Sequence, residues 1–103
     1  MITALVQFKV SQPLSRAKAS AIFRSTAAKY RDLPGLVRKV YLLSEDGTTV
    51  GGFYLWQSRA DAERIYTSEW ERFVEDKYGC APSISYFESP VIVDNLSGEI
   101  ISD

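Results

Sequence analysis

Histidine does not occur in this 103-residue chain, and cysteine and methionine occur once each. Without an imidazole, no side chain titrates near neutral pH unless its surroundings shift it. A Cys–His nucleophile pair and haem held through a proximal histidine are therefore ruled out by composition. Zinc is disfavoured on the same ground, since its sites draw on several cysteines and histidines. The lone Cys80 permits no intrachain disulfide, which fits a reducing compartment. With nothing to activate it, its thiol reads as a small buried hydrophobe. Nor is there an excess of either charge: 12 basic against 13 acidic residues leave a net charge of −1, and no basic footprint for nucleic acid. No apolar run approaches the ~20 residues of a membrane-crossing helix. The first residues lack the basic start and small-residue cleavage pattern of a signal peptide. These absences predict a cytoplasmic protein that contacts neither nucleic acid nor membrane, and they point to no cofactor.

What is present is apolar and aromatic. Hydrophobic residues make up 46% of the chain, enough for a core, and the length suits one domain. The run Val50-Gly51-Gly52-Phe53-Tyr54-Leu55-Trp56 is rich in β-preferring residues and follows a turn signal, Asp46-Gly47. A two-residue type I′ turn there would pair Leu43 with Val50, Tyr41 with Gly52, Lys39 with Tyr54 and Val37 with Trp56. On the other face Leu42 would meet Gly51, Val40 would meet Phe53 and Arg38 would meet Leu55. Strand alternation separates an aliphatic face (Leu36, Val40, Leu42, Phe53, Leu55) from an aromatic face carrying one amine (Lys39, Tyr41, Tyr54, Trp56). Which of the two lies under the helices stays open on the sequence. Gly52, opposite Tyr41, leaves room for a ring to lie on the backbone.

Around this hairpin the elements follow in order. Ile2 to Val10 alternates as a strand with one apolar face. Pro13 suits the first turn of a helix over Leu14 to Tyr30, whose stripe is Ala19, Ile22, Phe23, Thr26, Ala27 and Tyr30. Leu33-Pro34-Gly35 stops it. Ser58 with Asp61 reads as one capping box, and Ser68-Glu69-Trp70-Glu71 as a second, so the next helical region is two pieces with a bend. Gly79 suits the closing cap. Pro82 to Glu88 is a fourth strand. Val91 to Val93 is an extended arm placed to reach a partner subunit, and residues 95–103 are a loose tail after a domain of residues 1–94. The order β-α-β-β-α-β predicts an α+β, ferredoxin-like sandwich. Helices cover one sheet face, so the other apolar face calls for a second copy of the chain.

Leu33-Pro34-Gly35-Leu36, Lys39, the strand Gly51-Gly52-Phe53-Tyr54-Leu55-Trp56 and Ala60-Asp61-Ala62-Glu63 resemble the YdhR-like monooxygenases of the dimeric α+β barrel superfamily. The resemblance spans about residues 2–94. It implies a homodimer whose two sheets close into a barrel, a pocket in each subunit, and cofactor-free oxygenation of a small quinol- or anthrone-like aromatic.

Beside that resemblance, the residues nominate a site. A desolvated Lys39 can act as a base or pair with a phenolate, and Tyr54 and Tyr41 can donate to an oxyanion. Trp56 offers a stacking surface, and Tyr66 and Trp70, at the helical bend, a lid. Each also has a plain structural reading: Lys39 as a surface lysine with its stem on Tyr54, and the aromatics as core or interface packing. Asp61 and Glu71 read as capping partners rather than a catalytic pair. Function then divides between a cofactor-free monooxygenase and a non-catalytic small-molecule-binding dimer. An RNA-recognition sheet of the same topology is a distant third, since Val50 stands where such sheets place a basic residue.

Overall fold

The strand alternation and helix signals produce nine elements in the computed structural model, which describes Met1 to Asp103 throughout. They are β1 (Ile2–Lys9), α1 (Arg16–Tyr30), β2 (Leu36–Leu43), β3 (Thr49–Trp56), α2 (Arg59–Ile65), α3 (Ser68–Tyr78), β4 (Ser83–Glu88), β5 (Val91–Asp94) and β6 (Glu99–Ser102). The first four strands form an antiparallel sheet in the order β2-β3-β1-β4, the ferredoxin-like arrangement the sequence predicts. β5 and β6 form a separate hairpin.

The helices cover the aromatic face. Ala4, Val6 and Phe8 of β1 and Val50, Tyr54 and Trp56 of β3 meet Tyr30, Ala62, Trp70 and Val74 from the helices in one buried cluster. The opposite face keeps Val40 and Phe87 about half exposed.

The hairpin register holds from Leu43↔Val50 to Arg38↔Leu55, including Lys39↔Tyr54. It departs from the sequence expectation at its start. Leu36, not Val37, sits opposite Trp56, because Val37 bulges out of the ladder. An extra residue reverses the alternation beyond it. Leu36 therefore turns inward onto the core, and the aliphatic-face assignment is corrected at that position. The turn also differs in type. Gly47 N donates to Ser44 O at 2.9 Å and Ser44 N donates to Thr49 O at 2.8 Å, closing a four-residue loop. Of the Asp-Gly pair only Gly47 has positive φ, so the turn is not type I′. The Asp46 carboxylate instead accepts bonds from the Ser44 hydroxyl and from the backbone and hydroxyl of Thr48. Ser44 faces Thr49 in either geometry, which is why the predicted register survives.

Capping explains the helix limits. Ser15 Oγ accepts from Lys18 N, so α1 starts after Pro13 rather than around it. Ser58 Oγ accepts from Asp61 N and starts α2 as expected. Thr67, one residue before the predicted cap, starts α3, and Gly79 ends it in the left-handed conformation. At the Leu-Pro-Gly turn, Gly35 has φ 83°, and an added Cβ would stand 2.2 Å from Asp61 Cγ. Gly35 O also accepts from Gln57 N at 2.8 Å. This turn and the start of α2 are thus a single packed junction.

The segment expected as a loose tail is ordered as β6, which pairs with β5 from Val91↔Ser102 to Asp94↔Glu99. The Arg38 guanidinium reaches Asp94 at 3.3 Å and ties this arm to β2. No helix is long and apolar enough to cross a membrane.

Candidate functional site

Register places Lys39 on the helix-covered face directly across from Tyr54. The neighbouring Gly52 has no side chain, and that gap is filled. A Cβ there would meet Tyr54 Cε1 at 2.9 Å and Lys39 Cε at 3.1 Å. The lysine tail and the tyrosine ring thus fold over bare backbone. Lys39 Nζ ends among three ring faces, 3.4 Å from the centroid of Tyr30, 3.9 Å from Tyr41 and 4.5 Å from Tyr54. No carboxylate pairs with it: the four salt bridges of the chain all lie elsewhere. Burial, and secondarily the positive charge of Lys29, lowers its pKa from 10.5 to about 7. The ring faces act the other way, attracting the ammonium and offsetting part of the desolvation.

Tyr41, Tyr54 and Tyr78 of the same cleft stay protonated. Burial pushes the Tyr54 phenol far up, and the neighbouring Tyr30 and Tyr66 add to this. Burial also raises Tyr41 and Tyr78. Tyr41 lies against Phe23, with ring centroids 4.7 Å apart, and its hydroxyl is 2.7 Å from Thr26 Oγ1. Thr26 commits its only proton to Phe23 O at 3.1 Å. Tyr41 is therefore the donor in that pair.

Lys39, Tyr41, Gly52 and Tyr54 line one cleft with Phe8 and Thr26, closed from above by Phe73, Val74, Lys77 and Tyr78 of α3. Its enclosed space is about 20 Å³, room for a water molecule. A larger guest must turn the Lys39, Phe73 and Lys77 side chains outward.

Of the sequence-nominated residues, Lys39, Tyr41 and Tyr54 converge on this cleft. Trp56, Tyr66 and Trp70 stand behind it. The Trp56 indole donates to Tyr66 OH at 3.0 Å, and the Trp70 indole donates to Tyr30 OH at 3.0 Å. Tyr54 and Trp56 stack with centroids 6.1 Å apart, and Tyr66 meets Trp70 at 4.7 Å. Tyr66 and Trp70 do sit at the bend between α2 and α3, but they close inward on the core and not over the cleft. Sequence reasoning passed over Tyr30, Thr26, Phe73, Lys77 and Tyr78. Thr26 carried a signal: it is a hydroxyl four residues from Tyr30 on a stripe that is otherwise apolar. Lys77 carried none, because a lysine in the last turn of a helix looks like ordinary solvated charge.

Chemically, the cleft combines an amine that can be neutral near pH 7, phenols fixed as donors, and apolar ring surface. That set can take a proton from a weakly acidic aromatic and hold the resulting oxyanion.

The sequence from residue 4 to 79 matches the family described as putative mono-oxygenase ydhR. No curated protein matches it significantly. Among solved structures, the chain is similar to a monooxygenase from the gene ActVA-Orf6 of Streptomyces coelicolor, determined with the ligand nanaomycin D. That similarity has a TM-score of 0.66 and 20% identity, and it covers 85% of this chain and 86% of the other. It is also similar to SnoaB, a cofactor-independent oxygenase from Streptomyces nogalater, with a TM-score of 0.63, 19% identity and coverage of 85% and 91%. At these identities the structural similarities speak for the fold.

Proposed function

The chain belongs to the ydhR mono-oxygenase family, and from that premise we propose that it is a cofactor-free monooxygenase acting on a small quinol- or anthrone-like aromatic in the Lys39 cleft. The supporting observation is the unpaired, half-buried Lys39 amine set among three phenol rings. Neutral Lys39 takes a proton from the activated C–H or O–H of the substrate. The ammonium so formed stays beside the new oxyanion, and the Tyr54 phenol faces it as a donor, while the Tyr41 ring lines the cleft with its own proton held by Thr26. The electron-rich anion then reduces oxygen directly: one oxygen atom enters the ring as a carbonyl, the other leaves as water, and the two substrate hydrogens go with it. In this scheme Trp56, Tyr66 and Trp70 back the Tyr54 ring and hold it in place.

The test is oxygen uptake with an anthrone and quinol panel, using protein freed of flavin, haem and metal. Uptake well above autoxidation of the same compounds is expected. Rates equal to autoxidation across the panel would overturn the oxygenase assignment and favour a non-catalytic small-molecule-binding dimer.

We also infer that the active form is a homodimer. The uncovered sheet face exposes Val40 and Phe87 by 45% and 54%, and the β5–β6 arm exposes Val91, Val93 and Ile100 by 61%, 66% and 74%. An isolated two-stranded hairpin is marginal in water, and this one turns apolar residues outward. A second copy packed on that face would cover both features. Light scattering should give about twice 11.6 kDa at micromolar concentration. Deleting residues 90–103 should weaken dimerisation at least tenfold, the least expected from removing several buried apolar side chains. Equal dimerisation by the truncated chain would remove the arm from the interface.

A further inference from the structure

The cleft described above carries positive charge at its mouth that no salt bridge takes up. Lys77 of α3 lines the cleft beside Lys39. Lys29, from the last turn of α1, places its Nζ 3.7 Å from the centroid of Phe73, and Lys77 Nζ lies 5.8 Å from the same ring. Phe73 is itself part of the cleft wall. Two ammonium groups from two helices thus meet at one ring above the half-buried Lys39 amine. None of the three takes part in a salt bridge. A lysine in a last helical turn is accounted for by the helix dipole. The dipole does not account for the convergence of both on a single aromatic ring.

The phenols of the wall supply no negative charge either, since Tyr41, Tyr54 and Tyr78 are held neutral by burial. Lys29 already acts on the cleft interior, since its charge contributes to lowering Lys39. A guest with a negative group at the mouth would relieve this repulsion and find two free ammonium groups.

We propose that the cleft takes an aromatic carboxylate: the ring lies against Tyr54 once the Lys39 and Phe73 side chains have turned aside, and the carboxylate sits at the mouth between Lys29 and Lys77. The proposal rests on the cleft being the binding site and names the class of substrate it selects. A ring without a negative group would leave the two mouth ammoniums unmatched. Lys29 and Lys77 are specificity residues in this arrangement, while the proton transfer belongs to Lys39.

The test is calorimetric titration of the full chain with 2-naphthoate and 2-naphthamide, which share a ring and a shape and differ in charge. At low salt the carboxylate should bind about tenfold more tightly than the amide, the scale that two solvent-exposed ion pairs supply. High salt should erase most of that difference. In the double variant Lys29→Met/Lys77→Met the preference should fall to near parity, with amide affinity retained to within about twofold. Both side chains are exposed, so folding should persist. Equal affinity of the two probes for the wild type would overturn the proposal and leave the cleft as a binding site. So would a preference that survives the double substitution. Binding of neither probe would overturn it as well, while oxygen uptake by a neutral quinol would still stand as separate support for the oxygenase.

Discussion

Replacing Lys39 by methionine should make the protein about 2–3 kcal/mol more stable at pH 7 and at least about a hundredfold slower in oxygen uptake. The two effects have one source. Holding a lysine whose pKa falls from 10.5 to about 7 costs on the order of 4–5 kcal/mol near neutral pH. Methionine keeps most of the stem over Gly52 and removes that cost, while the space left by the missing ammonium gives back roughly 2 kcal/mol. The pH dependence gives the sign. Between about pH 7 and 10.5 the unfolded chain carries a proton on Lys39 and the folded chain does not. Wild-type stability relative to Lys39→Met should therefore rise with pH through that window, and the full deficit should appear below it. Turnover should follow the neutral amine, rising as pH passes about 7 and then levelling. Urea unfolding of both proteins at several pH values, alongside oxygen uptake, measures all of this. A variant less stable than wild type at pH 7 would show that the ammonium is a structural contributor. Unchanged turnover would remove Lys39 from the chemistry.

Trp56→Ala should do the opposite, costing about 3–5 kcal/mol of stability because it empties a core site. Trp56 is fully buried, stacks on Tyr54 and donates to Tyr66 OH at 3.0 Å. Trp56→Phe, which keeps a ring and loses only the donor, should cost about 1–2 kcal/mol, mostly the lost hydrogen bond and some volume. Chemical denaturation gives both values. A loss below about 1 kcal/mol in Trp56→Ala would mean the ring is not core. Paired with Lys39→Met, the substitution separates the two roles on this face: Lys39 destabilises the fold and serves the cleft, while Trp56 stabilises the fold and holds the cleft wall in place.

Local pattern was enough to determine the element order, the antiparallel hairpin and the pairing of Lys39 with Tyr54. Alternation along residues 2–10 and 49–56 has a period of two, and the stops at Leu33-Pro34-Gly35 and Gly79 are backbone requirements of those residues. These are properties of neighbouring positions, and they can be read from the chain alone. Even the wrong turn type at Asp46-Gly47 preserved the register, because both geometries place Ser44 across from Thr49.

Tertiary structure decided the rest. Alternation sorts side chains into two faces but does not say which face the helices will cover. Docking energy makes that choice, and here it buries Tyr54 and Trp56 and leaves Val40 in the open. The bulge at Val37 is a compromise between two packing demands: Leu36 turns inward against the core while Lys39 keeps its place opposite Tyr54. Residues 99–102 have too little local pattern to signal a strand, and they become one only because Val91–Asp94 folds back to pair with them. The lysine at the centre of the site shows the division most clearly. The sequence by itself determined that an amine would stand among aromatics on one strand face. The lowered pKa, the Tyr30 ring beneath it and the two further lysines at the mouth come from α1 and α3, helices that reach Lys39 only when the chain has folded.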